Sequence, residues 1–156
     1  MKIIYIHHGA RKLSNPPTQN DDLTDIGYRD CELTAELLVN SKMVGTIKCI
    51  YTSPYFRCRK TAEIINKKLN VPIIDDDRLN EYVSSTEVWT NCQERLLNCI
   101  DDIIEKHNND DIVICVTSGV NVGAFMLKAF GLSPSEKTPF LGVPSCSPII
   151  FTFDKQ

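Results

Sequence analysis

The chain has few features of a membrane protein, a secreted protein or a nucleic-acid-binding protein. Its first apolar run covers only residues 3–6, which is too short for the core of a signal peptide. No stretch approaches the ~20 apolar residues of a membrane span. The net charge of -3 provides no basic excess that would favour nucleic acid or an anionic membrane as the main partner. We therefore expect a cytoplasmic protein whose partners include neither nucleic acid nor a membrane.

Cysteine is present in an odd number, seven, and no two cysteines have C-x-x-C spacing. This argues against a zinc site or a thioredoxin-type motif, and no metal or cofactor is expected. Most of the cysteines occupy apolar positions of periodic segments, which is typical of small core residues in a reducing cytosol.

The order of predicted elements indicates an α/β fold. A length of 156 residues and a hydrophobic content of 42% fit a single domain, residues 1–156, with a proper core. Short β-branched runs alternate with helical patterns, which predicts a three-layer α/β/α sandwich with a mainly parallel sheet. The predicted strands are residues 3–6, 47–51, 71–74, 112–116 and 149–153, and the strand of 71–74 contains Pro72 and is expected at an edge.

Capping signals predict where three of the helices begin. Thr24 is expected to cap the first helix, with Ile26, Leu33, Leu37 and Leu38 on its apolar face. Ser53 followed by Pro54 predicts the start of the second helix. Ser85 or Thr86 is expected to open the third.

Three polar clusters follow predicted strands, at the sheet edge where ligands bind in folds of this kind. A charged loop that carries Glu81 is a fourth candidate. If the strands of 3–6 and 112–116 are neighbours, these groups and two helix N-termini converge on one anion site. The clusters are His7-His8-Gly9-Ala10-Arg11, Ser53 with Arg57, and Thr117-Ser118-Gly119.

The same residues, taken in order, form a series of motifs that resembles the histidine phosphatase superfamily. The resemblance is to the phosphoglycerate-mutase-like proteins, particularly their short phosphohistidine-phosphatase-like members, and covers nearly the whole chain. The family's R-H-G, L-T-x-x-G, S-x-x-x-R-x-x-x-T-A, leucine–glutamate and S-H-G elements are matched here by His7-His8-Gly9, Leu23 to Gly27, Ser53 to Ala62, Leu79 with Glu81, and Thr117-Ser118-Gly119.

The resemblance implies hydrolysis of phosphomonoesters through a phosphohistidine. His8 is then the nucleophile, which divides one difficult step into two. Arg57 neutralises the phosphoryl oxygens, and Glu81 gives a proton to the leaving oxygen and later takes one from water. The expected partner is a phosphorylated small molecule or a phosphoprotein.

Two residues that the family motifs require are replaced in this chain. His7 stands where the family has arginine, and Ser118 stands where it has a second histidine. Histidine lacks the bidentate fork of arginine, and serine carries no charge. The loss of one preorganised donor typically lowers the rate ~10²–10³-fold. Arg11 is a candidate to fill part of the space as a phosphate ligand.

These replacements leave two functions open. The protein is either a weak or specialised phosphatase or an inactive relative that binds a phosphorylated ligand or acts as an interaction domain. His7 and Ser118 are candidate phosphate ligands, but His7 could equally fill space and Ser118 could serve only as a helix N-cap. A cysteine-nucleophile phosphatase is excluded, because the C-x5-R loop would need arginine where Asn121 stands after Cys115.

Overall fold

The computed structural model describes residues 1–14, 18–41, 46–83, 85–132 and 142–154. Its sheet has the strand order β3-β2-β4-β1-β5, in which only β5 runs antiparallel to its neighbour. The mainly parallel sheet, the edge position of β3 and the pairing of β1 with β4 are all confirmed. The strands are β1 (Lys2–His7), β2 (Ile47–Thr52), β3 (Ile73–Asp75), β4 (Ile112–Thr117) and β5 (Pro148–Thr152).

Helices cover both faces of the sheet, which confirms the three-layer architecture. They are α1 (Asp25–Asn40), α2 (Phe56–Leu69), α3 (Trp89–Lys106) and α4 (Gly119–Ala129), with a short 3₁₀ turn at Asp77–Leu79. One face of the central strands packs with α3 and α4 around Tyr5 and Phe125, whose rings stack at 4.9 Å. The other face packs with α1 and α2 around Ile4, Ile50 and Ile114. None of the helices in the described ranges has the length and apolar character to cross a membrane.

Two helices begin later than the capping signals predict. α2 begins at Phe56 with Tyr55 as its N-cap residue. The Ser53 hydroxyl instead accepts the Tyr55 N–H at 3.3 Å and donates to Asn80 Oδ1 at 2.6 Å. α3 begins at Trp89, because the segment before it forms a separate turn closed by hydrogen bonds to the Val83 carbonyl. β3 is also displaced from the prediction, to Ile73–Asp75.

The buried face of α1 differs from the predicted one. Thr24 caps the helix as expected and accepts the Gly27 N–H at 3.0 Å. Of the predicted residues only Leu38 is buried, together with the small residues Cys31 and Ala35. Ile26, Leu33 and Leu37 are 61%, 53% and 55% exposed. The orientation follows from close packing of its first turn, since a Cβ at Gly27 would lie 2.9 Å from the Ala10 nitrogen and closer still to its oxygen.

Candidate active site

The ends of β1, β2 and β4 bring three polar loops to one edge of the sheet. The His8 N–H donates to the Thr117 carbonyl at 3.0 Å, and the Ser53 N–H donates to the Val116 carbonyl at 3.1 Å. The residues that follow the three strands are therefore held side by side by backbone hydrogen bonds. The sequence-predicted convergence of the His8 and Ser118 turns on this edge is confirmed.

His8 is buried, 4% exposed, and its two ring nitrogens have different partners. Nδ1 lies 2.8 Å from the Gly9 carbonyl, which can only accept a proton. Nε2 lies 3.2 Å from the Arg57 Nε–H, which can only donate one. These contacts assign the neutral tautomer with the proton on Nδ1 and the lone pair on Nε2. Burial, followed by the neighbouring His7, lowers the pKa of His8 to about 3, so the ring is neutral near pH 7.

Arg57, in the first turn of α2, joins the predicted nucleophile to the predicted acid. It is 2% exposed, and its Nη1 donates to the Thr18 carbonyl at 3.1 Å. Its Nη2 forms an ion pair with Glu81, and its guanidinium lies 5.0 Å from the centre of the Tyr55 ring. Since all three branches of the guanidinium have partners, a phosphoryl oxygen would bind Arg57 by replacing one of them.

A network of side-chain hydrogen bonds positions the loop that carries Glu81. The buried Asn121 amide donates to the Leu79 carbonyl at 3.1 Å, to the Asn80 carbonyl at 2.8 Å and to Thr117 Oγ1 at 2.9 Å. Thr117 Oγ1 in turn donates to the Leu79 carbonyl at 2.6 Å. The loop is thus tied to the end of β4 immediately before Glu81.

The two substituted motif positions lie next to each other. His7 pairs with Thr117 in the sheet register, and its Nδ1 lies 2.7 Å from the Val143 carbonyl. Its ring packs against the N-terminus of α4, where a Cβ at Gly119 would come within 2.8 Å of Cε1. Burial lowers the pKa of His7, and the Val143 carbonyl and Glu81 partly offset this effect. Ser118 is the N-cap of α4 and accepts the Asn121 N–H at 3.4 Å, which confirms its predicted capping role.

Arg11 borders the same site, but its guanidinium is already paired with a neighbouring carboxylate. It forms an ion pair with Asp21, whose side chain is only 2% exposed, and its backbone bridges to Leu23. A role for Arg11 in phosphate binding stays a prediction.

An open pocket of about 790 Å³ lies in front of Arg57 and Glu81. It has room for a phosphoryl group together with part of the molecule that carries it. Over the described ranges, no cluster of three or more histidine, cysteine, aspartate or glutamate residues could hold a metal ion. The pocket is lined by Arg11, Thr18, Gln19, Tyr55, Arg57, Glu81, Tyr82, Val83, Ser85 and Thr86.

Sequence reasoning missed the residues that support the site from behind. Thr61 Oγ1 accepts the Gly9 N–H at 3.0 Å and donates to the Arg57 carbonyl at 2.7 Å, so one hydroxyl joins both motifs. The available signal was the place of Thr61 in the T-A pair that ends the S-x-x-x-R-x-x-x-T-A motif. Asn121 gave no signal, because the carbonyls of Leu79 and Asn80 that it binds are distant in sequence.

Comparison with known proteins places this site in a family. A profile of the histidine phosphatase superfamily (branch 1) matches residues 6–85, about half of the chain, which include His8, Arg57 and Glu81. No curated protein matches the sequence significantly.

Solved structures of the same fold include phosphatases. YhfR from Bacillus stearothermophilus has a TM-score of 0.83 at 21% identity, covering 98% of this chain and 91% of that one. The protein histidine phosphatase SixA complexed with tungstate has a TM-score of 0.73 at 20% identity, with coverage of 99% and 89%. A mutant phosphoserine phosphatase from Entamoeba histolytica in complex with phosphoserine has a TM-score of 0.76 at 16% identity, with coverage of 98% and 91%. These likenesses show the shared fold. The profile match, which runs from the end of β1 through α1, β2, α2 and β3 to the loop of Glu81, establishes that this chain belongs to the histidine phosphatase superfamily.

Proposed function

We propose that the protein hydrolyses phosphomonoesters through a phosphohistidine at His8. The observation that carries this proposal is the state of the His8 ring. Its Nδ1–H is held by the Gly9 carbonyl, and its neutral Nε2 lies 3.2 Å from the one buried arginine of the site. A neutral imidazole with a directed lone pair is the form that can attack phosphorus.

The arrival of a phosphoryl group rearranges the contacts of Arg57. Its Nε–H turns from His8 Nε2 to a phosphoryl oxygen, which frees the lone pair for attack. A second oxygen competes with Glu81 for Nη2, which frees the carboxyl group to face the leaving oxygen. Glu81, once released from the ion pair, takes up a proton from solvent. His8 Nε2 then bonds to phosphorus as the ester P–O bond breaks, and Glu81 passes this proton to the leaving oxygen. Water hydrolyses the phosphohistidine and gives its proton back to Glu81.

His7 takes over the charge that Ser118 does not provide. Its ring lies against the N-terminus of α4, immediately beside Ser118, and its centre is 4.5 Å from that of the His8 ring. With Nδ1–H donated to the Val143 carbonyl, protonation places the new N–H on Nε2. A bound phosphate dianion favours this imidazolium, which can then stabilise the phosphoryl oxygens in the transition state.

Turnover of p-nitrophenyl phosphate tests the proposal. We expect measurable hydrolysis by the wild-type protein and none by His8→Ala. Ser118→His should raise kcat because it adds a donor that can carry charge. Equal turnover by the wild type and His8→Ala would show that another site or a contaminant hydrolyses the p-nitrophenyl phosphate.

The pH profile tests the role of His7. Because the pKa of His7 is lowered from its ordinary value of 6.5, the free protein loses the imidazolium as the pH rises toward neutrality. Hydrolysis should therefore be fastest in acid, and kcat/KM should fall with rising pH. His7→Arg, whose charge is permanent, should remove this fall. If kcat/KM of His7→Arg still falls with rising pH as it does in the wild type, another group causes the fall and the role of His7 is refuted.

The second candidate function is binding of a phosphorylated ligand without turnover. One observation favours it: Ser118 contributes only a neutral hydroxyl, and that hydroxyl already caps α4. Tight binding of phosphate with no hydrolysis of p-nitrophenyl phosphate, a phosphohistidine peptide or a phosphoserine peptide would select this function.

The substrate is a phosphorylated small molecule or a phosphoprotein. The open pocket and its aromatic wall of Tyr55 and Tyr82 support a substrate with a bulky group next to the phosphate. SixA, which shares the fold, is described as a protein histidine phosphatase. A higher kcat/KM for the phosphopeptides than for p-nitrophenyl phosphate would identify the phosphoprotein class.

A further inference from the structure

Two thiols from distant parts of the chain meet behind the His8 loop. Cys31 lies in α1, and Cys146 lies in the turn before β5, 115 positions later. Their sulfur atoms are 3.4 Å apart, and the residues are 0% and 5% exposed. A disulfide bond of about 2 Å needs a further approach of little more than 1 Å, which side-chain rotation and a small backbone shift can supply.

The backbone of Cys146 is fixed in a conformation that most residues avoid. Its φ of 60° lies in the left-handed region, which favours glycine or asparagine. Its N–H donates to the His7 carbonyl at 2.8 Å, and its carbonyl accepts the Thr34 hydroxyl at 2.8 Å. A cysteine held at this φ with its sulfur against a second thiol is not explained by core filling alone.

The two thiols have different chemistry. The hydrogen bond with Cys146 lowers the pKa of Cys31 and raises that of Cys146. Cys31 is therefore the more acidic thiol of the pair, and Cys146 is the less acidic one. In thiol oxidation the more acidic thiol would be the attacking cysteine and the less acidic one the resolving cysteine.

We propose that Cys31 and Cys146 form a reversible intramolecular disulfide when the protein meets a peroxide. The Cys31 thiolate attacks one peroxide oxygen, the O–O bond breaks, and the departing hydroxide takes a proton to become water. The Cys146 sulfur then attacks the sulfenic sulfur of Cys31, the S–O bond breaks, and the Cys146 proton leaves with the hydroxyl as a second water. One peroxide is reduced to two waters as two thiols become one disulfide. In a reducing compartment such a bond is transient, as in redox-sensing proteins.

The position of the pair ties it to the segment that carries the proposed nucleophile. A Cβ at Gly9 would lie 2.8 Å from the Cys31 sulfur, so this sulfur packs directly under the residue after His8. The Cys146 N–H holds the carbonyl of the residue before His8. The disulfide would therefore lock both sides of the His7-His8-Gly9 segment.

Thiol mapping tests the proposal without reference to turnover. The folded protein is treated with hydrogen peroxide, the peroxide is removed, and the chain is denatured so that the remaining free thiols, which are buried in the fold, can be alkylated. The alkylated chain is then digested and analysed by mass spectrometry. We expect two fewer alkylated cysteines than in the reduced protein, a Cys31–Cys146 linked peptide, and full reversal by a reductant. A linkage between other cysteines, or a linkage that forms only in denaturant, would overturn the proposal.

Variants and thermal unfolding supply the controls. Cys146→Ser should form no linked peptide, whereas Cys49→Ser, which removes a thiol that is similarly buried at 4% exposure, should form it normally. The oxidised wild type should have a higher Tm than the reduced protein, since the cross-link restricts the unfolded chain over a long loop. A lower Tm on oxidation would show that the native fold opposes the bond, and would contradict the idea that the thiols are poised for it.

Discussion

Replacing Arg57 with lysine keeps a positive charge but removes the planar fork that the site is built around. The guanidinium reaches His8 Nε2 at 3.2 Å, the Thr18 carbonyl at 3.1 Å and Glu81, in three different directions. A single ammonium on a flexible stem cannot maintain all three. Hydrogen bonds to charged groups contribute ~1.5–3 kcal/mol each. The loss of one such bond to a bound phosphate predicts a Kd that rises about tenfold to hundredfold.

Titration calorimetry with inorganic phosphate and with vanadate measures this change. Arg59→Lys is the matched control, because Arg59 lies on the same helix but its side chain is 37% exposed and pairs with Glu63 and Asp75. Exposed pairs of this kind contribute little, so the control should bind phosphate as the wild type does. If Arg57→Lys also binds with wild-type affinity, the guanidinium is not the phosphate ligand and the reasoning fails.

Three further predictions concern stability. Gly27→Ala should lower the free energy of unfolding in urea by about 1–3 kcal/mol because the new Cβ collides with the Ala10 backbone. Gly142→Ala, where a Cβ meets nothing within 4 Å, should have little effect. Because the pKa of His8 is about 3 in the folded protein, only the unfolded chain binds its proton as the pH falls from about 6.5 to about 4. The free energy of unfolding should then decrease by up to about 1.4 kcal/mol per pH unit, and His8→Asn should show a weaker dependence. Asn121→Ala leaves the Asn80 carbonyl without its amide donor and the Leu79 carbonyl with only the Thr117 hydroxyl, so we expect a loss of about 1–3 kcal/mol in urea and a lower kcat, because the loop of Glu81 loosens.

The sheet could be predicted from the sequence because each central strand is a short run of β-branched residues. The runs at residues 3–6 and 112–116 are buried on both faces, so their hydrophobicity is continuous, and the run at 47–51 is interrupted only by the exposed Lys48. The face of α1 could not be predicted from hydrophobicity. Leu33 and Leu37 are exposed although Leu38 is buried, because close approach at Gly27 turns the small residue Cys31 inward.

The helix starts show why a capping signal is ambiguous when the polar residue has another partner. Ser53 matches a cap in sequence, but its hydroxyl bonds to Asn80, which is far along the chain, and α2 begins three residues later at Phe56. The contact could not be read from the local sequence.

Within the site, motif order predicted which residues meet but not how they are connected. His8, Arg57 and Glu81 form a continuous chain of contacts, as their motif positions suggested. The neutral state and tautomer of His8 depend on burial and on the Gly9 carbonyl, which only the folded chain supplies. The contact of His7 with the start of α4 likewise depends on the pairing of β1 with β4.

Trapping of the covalent intermediate tests the central claim most directly. The protein is mixed with p-nitrophenyl phosphate in acid, quenched rapidly in base and digested. The peptides are then analysed by mass spectrometry. We expect an acid-labile phosphoryl group on the peptide that contains His8. This group should be absent in His8→Asn and should disappear as the substrate is consumed. Hydrolysis without a phosphorylated intermediate, or phosphorylation at a residue other than His8, would contradict it.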